Sequence, residues 1–144
     1  MEFIMRSTIL AGLAITLLGL PGCFQAENDR PVPEKANNDD PIVQLLKDNQ
    51  GNAVIMFHKP GCPFSAYMEP IFNRVMQDYK DTLFMKQITV TPHTQSMFKR
   101  KYGFSTFPTV IYFKDHKAVK QHGSAQRTYK EGQIKGHIKD IYDL

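Results

Sequence analysis

Apolar residues step by three and four from Phe64 through Tyr67, Met68, Ile71, Phe72, Val75 and Met76 to Tyr79, the longest periodic pattern in the chain. That spacing predicts an amphipathic helix beginning at Pro63. Pro70 lies inside it and is expected to kink it, because proline removes a backbone donor and crowds the preceding turn. On either side the pattern changes: "NAVIMFH" and "TLFMKQITV" are short, β-branched apolar runs that predict buried strands. Before them, Asp40-Pro41 is a cap and first turn, with Ile42, Leu45 and Leu46 on one face of a short helix. After them, "TPHTQSMFKRKYG" predicts a helix started by Thr91-Pro92 and stopped at Gly103. "PTVIYFK" and "KAVKQHG" are strands joined through "DH", a separation that suits a hairpin, and a last helix from about Lys130 to Tyr142 turns Ile134, Ile138 and Ile141 inward. The order α-β-α-β-α-β-β-α predicts an α/β sandwich around one mixed sheet.

The first forty residues obey no such period. Arg6 is followed by an uncharged, mostly apolar run from Ser7 to Gly22, too short for a comfortable membrane span and the length of an export signal. From Phe24 to Asp40 the chain is polar and proline-containing, a flexible tether. The organisation expected is therefore an export signal over 1–22, a tether over 23–40 and one domain over 41–144. Cuts after Gly22 or Ala26 would leave a bulky residue, Leu20 or Phe24, at the third position back, which ordinary signal cleavage disfavours. "LPGC", Leu20 to Cys23, instead resembles the lipobox of bacterial lipoproteins, apart from Pro21. That resemblance implies lipidation of Cys23, attachment to a membrane through the lipid, and a place on the periplasmic side of a bacterial cell envelope.

Charge changes the picture little. From Pro41 onward 15 lysines and arginines face 8 aspartates and glutamates, leaving +7, but the basic residues are scattered rather than gathered into a stripe with aromatics, so nucleic acid is not an expected partner. The Lys99-Arg100-Lys101 cluster sits at a predicted helix end, where cations suit the helix dipole. His93, His116, His122 and His137 lack metal-ligand spacing, and no metal site is expected. Two cysteines, Cys23 and Cys62, build no disulfide framework, so the fold depends on its core and either thiol matters through reactivity or modification.

Cys62 is the candidate nucleophile. It precedes Pro63 at a predicted helix start, where unpaired N–H groups and the helix dipole favour thiolate, and Lys59 and His58 stand close enough in sequence to add positive field. Ser65, three positions on, can donate a hydrogen bond to the sulfur but cannot attack a disulfide. Cys62 can therefore open a substrate disulfide, and a second thiol must release it. Isomerisation or exchange with glutathione or another small thiol as co-substrate fits this chemistry, without a bound cofactor.

The element order and the loop "FHKPGCPFS" resemble the thioredoxin superfamily at its CxxC loop. Pro70, eight residues after Cys62, matches that family's kinking proline, and "YGFSTFPTVIYFKDHKAV" matches the segment carrying its cis-proline, here Pro108. The resemblance implies a thioredoxin-like three-layer sandwich, a central mixed sheet of about four strands flanked by helices. It also implies that Phe107 offers its backbone beside Pro108 to an extended substrate, with Phe64 and Phe107 as an apolar rim. The sequence departs from the family at Ser65, which replaces the resolving cysteine, at Met56, which replaces a buried acid, and in having no tryptophan; the family's first strand is also missing before the first helix. Two activities follow as alternatives. One is an envelope-anchored monothiol oxidoreductase or isomerase acting on exported proteins with cysteines or disulfides; the other is a non-catalytic binding or scaffold module for such proteins.

Overall fold

Asp40 caps the first helix: its Oδ1 accepts the Ile42 N–H at 2.8 Å, and Pro41 fills the first turn. The computed structural model describes residues 40–123 and 130–144; the export signal, Cys23 and all of the tether before Asp40 fall outside them. The elements are α1 (Pro41–Asp48), β1 (Ala53–His58), α2 (Pro63–Asp78), β2 (Met85–Thr89), α3 (Pro92–Tyr102), β3 (Thr109–Lys114), β4 (Lys117–Gly123) and α4 (Glu131–Tyr142). The sheet order is β2-β1-β3-β4, with β2 parallel to β1 and the other neighbours antiparallel. This is the expected mixed four-stranded sheet between helices.

The strand period of two builds both sides of the core. Ala53, Ile55 and Phe57 of β1 and Ile111 and Phe113 of β3 pack with Ile42 and Leu46 of α1 and Phe98 and Tyr102 of α3. The alternate residues Val54, Met56, Val110 and Tyr112 pack on the opposite face with Met68, Phe72 and Val75 of α2 and Ile134 and Ile138 of α4. β1 is thus buried on both faces, which is why it reads as a continuous apolar run. Asp115 and His116, at φ 52° and 66°, close the β3–β4 hairpin in the left-handed region that a two-residue loop needs. Gly51 is required beside that turn, because a Cβ there would lie 2.4 Å from the His116 nitrogen.

In α2 the inward line runs through Ser65, Met68, Phe72 and Val75, with Ile71 beside it. Phe64 and Tyr67, expected in the apolar stripe, are instead 38% and 56% exposed. Each stands one residue before an inward position, and so about 100° away around the helix. The helix continues through Pro70; that residue and Ala66, whose carbonyl loses its partner, both lie on the exposed side where water can serve. Two of the histidines read as surface positions, His122 and His137, stack on each other at 4.2 Å against the edge of Tyr112. At the far end of α4, the Tyr142 hydroxyl lies 2.8 Å from the carbonyls of both Ala53 and Phe113, pinning the helix to β1 and β3.

Candidate active site

β1 delivers the chain to the edge of the sheet at His58, and the turn Lys59–Gly61 brings Cys62 to the N-cap of α2. Pro63 at the first helical position cannot donate, so the next free N–H groups are those of Phe64 and Ser65, and both face the sulfur. Ser65 is almost fully buried at 1% exposure. Its Oγ accepts the Lys59 N–H at 3.2 Å, which leaves the hydroxyl proton for Cys62 Sγ. Burial is the largest single influence on the thiol and raises its pKa. The Ser65 N–H and hydroxyl, the Phe64 N–H and the Lys59 charge together outweigh burial, and Cys62 lies below the ordinary thiol range.

His58 lies elsewhere than its place in sequence implies. Its Nε2 is 3.0 Å from Thr89 Oγ1 and its Nδ1 2.8 Å from Glu69 Oε1, so the imidazole is engaged between β2 and α2 and is not among the groups that lower the Cys62 pKa. Of the two predicted cations, Lys59 acts on the thiol. Met56 is fully buried, paired in register with Gln87 of β2 and Val110 of β3, among apolar side chains on the α2 face.

Across from the thiol, the Phe107-Pro108 peptide bond is cis. The Phe107 carbonyl oxygen is 3.7 Å from Cys62 Sγ, within reach of a weak hydrogen bond from the neutral thiol. The Phe107 ring is turned into the core, 9% exposed and edge-on to Phe104, so this residue offers its backbone while its side chain contributes little to the outer rim. The exposed aromatics near the thiol are Phe64 and Tyr67. Tyr67, expected from its spacing only as part of the buried stripe, stands three residues after Phe64 and so shares its side of the helix. Lys99 is an omission from the expected site. Its Nζ donates to the Ser105 carbonyl at 3.1 Å and sits 5.4 Å from the Phe107 ring centroid, a placement that no local pattern announces.

Among the described residues no group of three or more His, Cys, Asp and Glu side chains could hold a metal ion. What is assembled is a low-pKa thiol, a buried hydroxyl against it and an open backbone edge beside a cis-proline, which is equipment for nucleophilic attack on sulfur.

The thioredoxin family model matches residues 34–139. The chain belongs to the thioredoxin family. It is 34% identical over 76 residues to the thioredoxin of Mycoplasmoides gallisepticum, an overlap covering 53% of this chain and 72% of that protein. Similar solved structures include the thioredoxin f2 complex with ferredoxin:thioredoxin reductase, with a TM-score of 0.59 at 20% identity, covering 72% of this chain and 89% of that one. The exposed lipoprotein thioredoxin of Streptococcus pneumoniae has a TM-score of 0.58 at 14% identity, covering 67% and 90%. Membership of the thioredoxin family brings with it thiol–disulfide oxidoreductase-type function. In this chain Ser65 stands three residues after Cys62, and among the described residues no strand precedes α1.

Proposed function

We propose that this protein is a monothiol thiol–disulfide oxidoreductase or isomerase working through Cys62 on exported proteins that carry cysteines or disulfides. The observation that carries the reading is Ser65: the position of a resolving thiol holds a buried hydroxyl directed at the sulfur, which stabilises thiolate and cannot itself attack a disulfide. The Cys62 thiolate attacks one sulfur of a client disulfide, a Cys62–client disulfide forms, and the other client sulfur leaves as a thiolate that takes a proton from solvent. No electrons are gained or lost overall in this exchange. Release requires a second thiolate that attacks the client sulfur of this mixed disulfide and expels Cys62 as thiolate: another thiolate of the same client, which leaves a rearranged client disulfide and is isomerisation, or a small thiol such as glutathione, which leaves a disulfide between client and small thiol. The Phe107 backbone beside Pro108 holds the client segment in extended form, and Phe64 lies beside it as an apolar contact.

Anchoring belongs to the same proposal. "LPGC" at Leu20–Cys23 supports lipidation of Cys23, with the polar residues up to Asp40 as a tether that holds the domain off the periplasmic side of the envelope. The streptococcal neighbour is itself described as an exposed lipoprotein. Mass spectrometry of the mature N-terminus is expected to find a lipid-modified Cys23, and an unmodified terminus at any other residue refutes the anchor.

The test of mechanism is Ser65→Cys. Residues three apart at a helix start share a face, so a thiol at 65 can reach Cys62 and attack its mixed disulfide intramolecularly. On non-reducing gels, the wild-type adduct with a disulfide-bearing client should persist and the variant's should decay without added glutathione, with Cys62→Ala as blank. If the wild type forms no adduct, or both release equally fast, the domain is a scaffold whose thiol is idle.

A further inference from the structure

We propose that the client of this site carries a carboxylate close to the sulfur that Cys62 attacks, and that Lys99 reads it. This rests on the thiol-exchange reading above and names the substrate class for the same site. Several cations of the domain have acidic partners: Lys101 with Asp40, Arg74 with Glu131, Lys114 with Asp143, and Lys135 with Asp78 and Glu131. Other cations, among them Lys59 in the loop before α2 and Lys99 on α3, have no carboxylate within ion-pair distance among the described residues. Lys99 is nevertheless held in place by the Ser105 carbonyl and the Phe107 ring, the same Phe107 whose own carbonyl touches Cys62 Sγ. A held ammonium with N–H donors to spare thus sits against the residue whose carbonyl approaches the thiol, beside the backbone proposed above to receive the substrate. A strand advances roughly 3.3 Å per residue, so acidic side chains up to about three residues from the target cysteine come within its reach.

The two lysines differ in what they touch. Lys59 acts on the Cys62 sulfur itself, whereas Lys99 is not among the groups that lower its pKa. Glu69, seven residues after Cys62 on α2, is already at 2.8 Å from His58 Nδ1. Phe64 and Tyr67, exposed in the first turns of α2 after Cys62, add apolar surface to the cationic surroundings of the thiol. These surroundings complement an extended segment bearing an apolar group and an acid, and a small thiol with free carboxylates such as glutathione has the same chemistry near its sulfur.

The test uses the reduced full-length protein and matched disulfides, with Cys62→Ala as blank. The protein arm compares the symmetric disulfides of acetyl-Glu-Gly-Cys-amide and acetyl-Gln-Gly-Cys-amide; the small-molecule arm compares oxidised glutathione with its ester. Formation of the Cys62 adduct is followed by mass spectrometry at low and at 0.5 M salt. In at least one arm the acidic member should react about 3- to 10-fold faster at low salt, with the ratio collapsing at high salt. Lys99→Gln should bring the ratio close to one, and Lys99→Arg should restore it. A preference in the first arm alone identifies protein segments as the source, and in the second alone a glutathione-like thiol. Acidic and neutral members reacting equally in both arms overturns the inference while leaving the thiol chemistry standing. So does a Lys99→Gln effect matched by an equal shift in the alkylation midpoint of Cys62. No adduct with any disulfide would instead defeat the underlying reading.

Discussion

Ser65 joins the loop to the nucleophile: one oxygen accepts from Lys59 and offers its proton to sulfur. Ser65→Ala removes that donor and leaves the Lys59 N–H without its acceptor. The alkylation midpoint of Cys62 should rise by roughly half a pH unit to one unit, as for a hydrogen bond of about 1 kcal/mol to the charged form. Ser65→Thr, which keeps the hydroxyl but adds a methyl in a buried place, should keep the low midpoint at some cost in stability. The lowered pKa also fixes a pH dependence of folding. Because the native thiol ionises more readily than the unfolded one, its contribution is fully present above the unfolded value of about 8.5 and is lost as pH falls through the folded pKa. The stability difference between wild type and Cys62→Ser, measured by urea unfolding, should therefore grow with rising pH across that window and level off above it.

β1 shows why part of this protein was legible in sequence and part was not. Its unbroken apolar run announced a strand covered on both faces, and the coverage is supplied by α1 and α3 on one side and α2 and α4 on the other. Within that run Met56 is fully buried among apolar side chains of the α2 face. Met56→Asp should destabilise by about 3 kcal/mol or more at pH 7, since a buried carboxylate without a partner is costly, and by less near pH 4, where the group is neutral. Denaturant midpoints at the two pH values decide it. By contrast, His58 with Thr89 is a contact across 31 positions, and Lys99 beside Phe107 depends on how α3 is laid over the sheet. Spacing along the chain carries no information on either. The outward turn of Phe64 and Tyr67 lies between these cases: the helix was plain from its period, but its rotation was fixed by which line of residues the sheet received.

The domain as a whole is closed at its two chain ends by buried polar contacts. Where the chain enters, Asp40 takes the Ile42 N–H, the Tyr102 hydroxyl and, at 2.6 Å, the Lys101 ammonium, and burial together with Asp40 drives the Tyr102 pKa upward. Asp40→Ala should cost about 2–4 kcal/mol, combining a lost helix cap with a buried hydroxyl left without its acceptor, whereas Asp40→Asn should cost less because its amide oxygen still accepts the Ile42 N–H, although its amide nitrogen cannot accept from Tyr102 or Lys101. Thermal or urea unfolding of the two variants separates these contributions. Asp40 thereby ties the start of α1 to the end of α3, and the thiol follows the end of β1 at the N-cap of α2. All of that arrangement has a purpose only if Cys62 is a working nucleophile. The measurement that bears on this most directly is the rate of Cys62 alkylation by iodoacetamide as a function of pH, with Cys62→Ala as blank. A single titration is expected, with its midpoint clearly below the ordinary thiol value of about 8.5; a midpoint at or above that value would contradict a working Cys62 nucleophile.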